Sequence, residues 1–208
     1  MIAIVDYGVG NLFSLCSSFK ACGLDAIATS DEATIKAASG IILPGVGAYR
    51  DASAKLRESG LGELVKSEAL SCKPVMGICL GMQLLFEKGL EYGSYEGLGL
   101  LKGSVIPIEN VAKDVKIPHM GWNALKFNGE KHPLFKYIDE GDFVYFVHSY
   151  FADAENDDII AFAEYGASLT AAVARGNVMG CQFHPEKSGA VGLGILKAFC
   201  ELCQEESK

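Results

Sequence analysis

The chain has 208 residues, half of them apolar, with 18 Lys plus Arg against 26 Asp plus Glu and a formal net charge of −8. At roughly 100–200 residues per domain this is enough for one domain with a substantial core, and so high an apolar share excludes a disordered segment. The acidic balance argues against nucleic acid or an anionic membrane as partner, and the longest apolar stretch, Val75 to Phe86, is too short to span a bilayer. Met1 to Gly10 has no basic segment ahead of its apolar run, so it reads as a first strand, not a signal peptide. Seven cysteines, an odd and scattered set, point to thiols in a reducing cytoplasm more than to a disulfide scaffold.

In chain order, Ile2–Val5 reads as a strand, Leu12–Cys22 as an amphipathic helix stopped by Gly23, and Ala26–Ala28 as a second strand. Asp31–Ala38 is a short helix and Ile41–Leu43 a third strand, followed by the loop Pro44-Gly45-Val46-Gly47. Ala52–Leu70 has helical spacing with a break at Gly60. Pro74–Ile78 is a fourth strand, and Leu80–Glu87 is expected as a helix. After Gly89 the pattern turns to glycines and short strands: Ser104–Ile108, Phe143–Tyr150, Ile159–Glu164, Ala171–Ala174 and Val178–Phe183. Gly192–Gln204 closes the chain as a helix with Leu193, Leu196, Phe199 and Cys200 on one side. The expectation is a single α/β domain over residues 1–208, with a central, mostly parallel sheet flanked by helices and antiparallel strands in the second half.

The sharpest local feature is Gly77-Ile78-Cys79-Leu80-Gly81, where a strand runs straight into a helix. Glycines on either side of a nucleophile permit the tight turn that lifts it off a sheet, and a helix N-terminus there favours thiolate over thiol. The same residues also fit a buried core cysteine between packing glycines. A second feature is His184-Pro185-Glu186 after a strand. In extended chain the two side chains project to one side, where the carboxylate can fix the imidazole tautomer. Taken alone it equally fits a surface histidine beside a solvated glutamate. Together the two features make Cys79, His184 and Glu186 a candidate triad.

Other motifs are weaker. Gly8-Val9-Gly10 lacks the third glycine of a dinucleotide fingerprint, since Phe13 stands there. Cys200 and Cys203 lack a second ligand pair, and His119, His132 and His148 lack metal-site spacing, so no metal or cofactor is expected.

With Cys79 in Gly-Ile-Cys-Leu-Gly-Met-Gln and His184 and Glu186 in Phe-His-Pro-Glu-Lys-Ser, the chain resembles the class I (triad) glutamine amidotransferases. Four further segments resemble the HisH-type glutaminase subunits of imidazole glycerol phosphate synthases within that family: Asp6 to Leu12, Leu43 to Ala48, Pro118 to Asn123, and Tyr145 to Tyr150. The match runs over essentially the whole chain, departing at Tyr49-Arg50 and Cys181, outside the triad.

The resemblance implies L-glutamine as substrate, attacked by Cys79, with His184 as proton donor and base and Glu186 orienting it. It implies an oxyanion site from the backbone of Leu80 and of Gly45, Val46 and Gly47. It places Gln83, Glu91, His148, Ser149 and Tyr150 around the substrate, with Glu91 facing its ammonium group; His148 and Tyr150 equally read as plain strand residues. It further implies a heterodimer with a HisF cyclase, a (βα)8 barrel, contacted by His119, Trp122, Asn123, Tyr145 and Lys187. Trp122 equally reads as a core residue. Two alternatives are a related amidotransferase serving another synthase and a catalytically silent docking subunit; the intact triad weighs against the second.

Overall fold

The computed structural model describes residues 1–205, and residues 206–208 lie outside the described residues. In chain order the elements are β1 (Ile2–Val5), α1 (Leu12–Ala21), β2 (Ala26–Thr29), α2 (Glu32–Ala37), β3 (Gly40–Leu43), α3 (Tyr49–Glu58) and α4 (Leu61–Leu70). Then follow β4 (Val75–Ile78), α5 (Leu80–Gln83), β5 (Phe86–Gly89), β6 (Tyr95–Glu96), β7 (Leu101–Pro107), β8 (His119–Ala124) and β9 (Lys126–Phe127). The last are β10 (Phe143–His148), β11 (Tyr150–Ala154), β12 (Ile159–Glu164), β13 (Ser168–Arg175), β14 (Val178–Cys181) and α6 (Gly189–Glu205).

An eight-stranded sheet carries the fold in the order β2-β1-β3-β4-β14-β13-β12-β9. The five strands from β2 to β14 are parallel, and the remaining three add antiparallel. The expected α/β architecture is therefore present. Alternate residues of β1 feed opposite faces: Ile2 and Ile4 join Leu15, Phe19, Leu196 and Phe199 from α1 and α6, while Ala3 and Val5 join Leu56, Val65 and Leu84. Both faces are covered, which explains why these strands are continuously apolar instead of alternating. A four-stranded sheet, β11-β7-β5-β6, and a two-stranded ribbon, β8 with β10, lie outside it.

Local chemistry accounts for the element starts. The Asn11 side chain accepts from Ser14 N and so caps α1, and Asp31 caps α2 by accepting from Thr34 N at 2.8 Å. The break expected at Gly60 separates α3 from α4.

Two expectations are corrected. The helix expected over Leu80–Glu87 is a single turn, α5, after which the chain becomes strand β5 and pairs with β7. Leu84, Leu85 and Phe86 are all fully buried, so no polar face exists to mark a helical period. The extended geometry expected from His184 to Glu186 is also wrong: Pro185–Lys187 is a turn of 3-10 helix with proline at its start. A fixed proline φ suits the first position of a helical turn as well as a strand. Strand β8 carries no sequence reading of its own, because Gly121 interrupts it and its apolar side chains face outward.

Candidate active site

Strands β4 and β14 lie side by side and parallel, with Ile78 opposite Cys181. The chain therefore delivers Cys79 and the segment from Gln182 to His184 at the same carboxyl edge of the sheet, where open α/β sheets hold their ligands. Cys79 sits just past β4 with φ 54° and ψ −112°, a strained conformation for a residue with a side chain. Its N–H donates to Cys181 O at 2.8 Å, which pins the turn to β14.

The flanking glycines are a steric requirement. A Cβ on Gly81 would lie 1.8 Å from Leu43 O, and one on Gly77 would lie 2.5 Å from Met82 Cα. Neither contact can be relieved by a side-chain rotation, since both partners are backbone atoms. Because α5 is only one turn long, the dipole expected to favour thiolate is small, and the electrostatic work falls to His184.

His184 Nδ1 lies 2.8 Å from Glu186 Oε1, and both side chains are 2% exposed. The 3-10 turn brings them together, and Ser188 bolts the turn down: its hydroxyl donates to His184 O at 2.6 Å and accepts from Tyr145 N at 3.0 Å. Burial alone would lower the His184 pKa. Cys79 and Glu186 beside the ring outweigh it and raise the pKa to about 9. With Nδ1 committed to Glu186, Nε2 is buried and makes no regular hydrogen bond, so it is the nitrogen available for proton exchange.

Cys79 and His184 open into a cavity of about 530 Å³. Cys79, Leu80 and His184 line one side, and Val46, Gly47, Gln83, Glu91, His148, Ser149 and Tyr150 are among the other walls. A positioned thiol, an imidazole with an orienting carboxylate, and a space for a small polar molecule together suit acyl transfer.

The class-I glutamine amidotransferase family model matches residues 3–201. The chain belongs to that family. This amidotransferase is 47% identical to the imidazole glycerol phosphate synthase subunit HisH of Oceanobacillus iheyensis, an alignment covering 97% of this chain and 99% of the relative. It is 48% identical to the protein of the same name from Lactococcus lactis subsp. lactis, over 96% of this chain and 98% of that one. A crystal structure of a glutamine amidotransferase shares the fold with a TM-score of 0.75 at 19% identity, over 98% of this chain and 100% of that one.

In this amidotransferase Gln182, Gln83, Tyr150, His148, His119 and Asn123 form one hydrogen-bonded chain leading from Cys79. Gln182 Nε2 donates to Cys79 Sγ at 3.7 Å, and Gln83 Nε2 donates to Gln182 Oε1 and to Tyr150 O, each at 2.9 Å. His148 Nδ1 lies 2.9 Å from Tyr150 O, and a carbonyl can only accept, so Nδ1 carries the proton. His148 Nε2 is then the acceptor for His119 Nδ1, 3.0 Å away, and His119 Nε2 accepts from Asn123 Nδ2 at 3.3 Å. Burial pushes the His148 pKa down to about 3 and that of His119 to about 4, so both rings are neutral at neutral pH.

The group read as a partner face separates by depth. Trp122 is 55% exposed, packs edge-on against Tyr145, and Lys187 sits 5.8 Å above the Tyr145 ring. His119 lies beneath them at 3% exposure, stacked between Phe146 and Tyr165, and Asn123 is half-buried beside it. Glu91 lines the cavity and also accepts from Tyr49 N.

Three residues that hold the site were not singled out from sequence: Gln182, Ser188 and Tyr7, whose hydroxyl donates to Pro44 O at 2.7 Å. A glutamine set inside the apolar run Val178 to Phe183 was the one usable signal; the other two act through backbone atoms that sequence spacing does not locate.

Cys16, Cys22, Cys72, Cys79, Cys181 and Cys200 carry free thiols. Cys181 is buried beside the site, and desolvation, with Glu186 and Cys79 adding, holds its pKa well above the ordinary value. No helix among the described residues is long and apolar enough to cross a membrane.

Proposed function

We propose that the chain is the glutaminase subunit of an imidazole glycerol phosphate synthase, acting in the cytoplasm on L-glutamine. The observation that carries the chemistry is that Cys79 and His184 line one cavity while Glu186, behind the ring, holds His184 Nδ1 at 2.8 Å. The near full-length similarity to HisH subunits supports the choice of pathway.

The reaction runs in two halves. Cys79 sulfur attacks the side-chain amide carbon of glutamine, and the carbonyl electrons move onto oxygen. The oxyanion is received by backbone N–H groups of Leu80 and of the Gly45–Val46–Gly47 loop. As the C–N bond breaks, protonated His184 Nε2 donates to the leaving nitrogen, giving ammonia and a γ-glutamyl thioester on Cys79. His184 then takes a proton from water, the hydroxide adds to the thioester, and glutamate leaves with the thiolate restored. Glu186 keeps Nδ1 occupied throughout, so only Nε2 exchanges protons. Gln83, Glu91, His148, Ser149 and Tyr150 surround the substrate, with the Glu91 carboxylate facing its ammonium group.

Free ammonia is protonated in water, so the product is handed directly to a partner. That partner is a HisF cyclase, which combines ammonia with its ribulosyl-formimino-aminoimidazole-carboxamide ribonucleotide to give imidazole glycerol phosphate and AICAR for L-histidine synthesis. The docking face is the outer side of the β8–β10 ribbon, where Met120, Trp122 and Phe143 are exposed and Met120 lies opposite the cavity residue Val147. Tyr145 and Lys187 complete it, and His119 and Asn123 support it from below.

The test is glutamate release with and without purified HisF and its nucleotide ligand. Strong stimulation by the pair is expected. Turnover indifferent to HisF would reject the pathway and leave the glutaminase chemistry standing.

A further inference from the structure

The loop Pro44–Ala48 is held at both ends by side chains from elsewhere in the chain. At its start the buried Tyr7 hydroxyl donates to Pro44 O. At its end Tyr49 N, the first N–H of α3, donates to Glu91 Oε2 at 2.5 Å. The first N–H groups of a helix lack partners within it, and α3 has Ala48 at its N-cap, which offers no side-chain acceptor. Glu91 supplies the missing acceptor, 42 residues along the chain.

Its reach is set by rigid structure. Leu90 N donates to Val105 O at 2.9 Å, so the backbone next to Glu91 is anchored to β7. The Tyr49 ring packs so closely over Gly89 that a Cβ there would meet it at 2.6 Å. Glu91 also lines the cavity that holds Cys79 and His184.

We propose that Glu91 is a positioning residue for the oxyanion loop as well as the receptor for the substrate ammonium group. The proposal rests on the glutaminase reading above. One carboxylate then ties the α-amino end of glutamine to the hinge of the loop that receives the oxyanion at the other end. Occupancy of the ammonium site and placement of the Gly45–Gly47 N–H groups become parts of one event.

The experiment uses the complex with HisF and its nucleotide, comparing wild type, Glu91→Gln and Glu91→Ala. Glutamine at position 91 keeps an acceptor oxygen for Tyr49 N–H and loses only the charge; alanine loses both. Both variants raise KM for glutamine by about tenfold or more, while kcat stays within about threefold of wild type in Glu91→Gln and falls about tenfold or more in Glu91→Ala. Amide hydrogen exchange over residues 44–50 is faster in Glu91→Ala and near wild type in Glu91→Gln. Equal kcat in the two variants, or unchanged exchange in Glu91→Ala, overturns the proposal. A wild-type complex that releases no glutamate fails at the earlier step and rejects the glutaminase reading itself.

Discussion

His119 Nδ1 donates to His148 Nε2 across 3.0 Å, joining ribbon strand β8 to the segment that forms one wall of the cavity. Both rings are buried and neutral, and each has its donor and acceptor used, since His148 also donates to Tyr150 O and His119 accepts from Asn123. Replacing His119 with phenylalanine keeps a ring between Phe146 and Tyr165 but strands the His148 acceptor. The variant is expected to lose about 1–3 kcal/mol in urea unfolding and to bind glutamine more weakly. Unaltered stability and KM would show that the pair holds nothing in place.

The same pair sets an acid limit. Folded-state pKa values of about 3 and 4 lie below the ordinary 6.5, so keeping these rings neutral contributes stability above pH 6.5 that is lost as pH falls towards 4 and below. Melting temperature should decline over that window, with a shallower decline in His119→Phe. Equal slopes in the two proteins would remove His119 from the explanation.

His184 shifts the other way. Its pKa is raised to about 9 above the ordinary 6.5, so its contribution to stability is complete below pH 6.5 and is lost as pH rises through about 9. The proton proposed for the departing ammonia is lost over the same range. The kcat/KM profile should therefore fall on its alkaline side near pH 9, and Glu186→Gln should move that limb downward. An alkaline limb unmoved by Glu186→Gln would mean the carboxylate does not act on the imidazole.

Space at the elbow is equally testable. Gly81→Ala must displace Leu43 O, and Gly77→Ala must displace the backbone of α5. Each should cost about 1–3 kcal/mol or more in unfolding experiments and lower turnover sharply, because the strain falls on Cys79 itself. Wild-type activity in either variant would contradict the placement of the turn.

The proposed partner face should show a separation of effects. Trp122→Ala removes an exposed aromatic that is not part of the cavity wall, so basal glutamate release should persist while affinity for HisF falls about tenfold or more in titration calorimetry. Undiminished affinity would move the interface elsewhere.

Much of this was legible in the chain itself because two physical signals were strong. Apolar runs such as Ile41–Leu43 and Val75–Ile78 are buried on both faces of a parallel sheet, and Gly-x-Cys-x-Gly has few conformations to choose from. The helix expected after Cys79 failed because Leu84 to Phe86 are apolar on every side, which hides the period that separates helix from strand. The pairing of His184 with Glu186 was read through the wrong backbone: a 3-10 turn brings the two side chains within reach as an extended segment would. Gln182 and the buried His119 escaped notice as parts of one network, since their partners Cys79 and His148 lie far away in sequence.

Glutamine turnover is expected to leave the γ-glutamyl group on Cys79. Intact-protein mass measurement during turnover of glutamine, in the presence of HisF and its nucleotide ligand, tests it most directly. The expected result is an acid-quenched adduct of one γ-glutamyl group, mapped to the peptide containing Cys79 and missing in Cys79→Ala, which also releases no glutamate. Glutamate release by Cys79→Ala at the wild-type rate would contradict it.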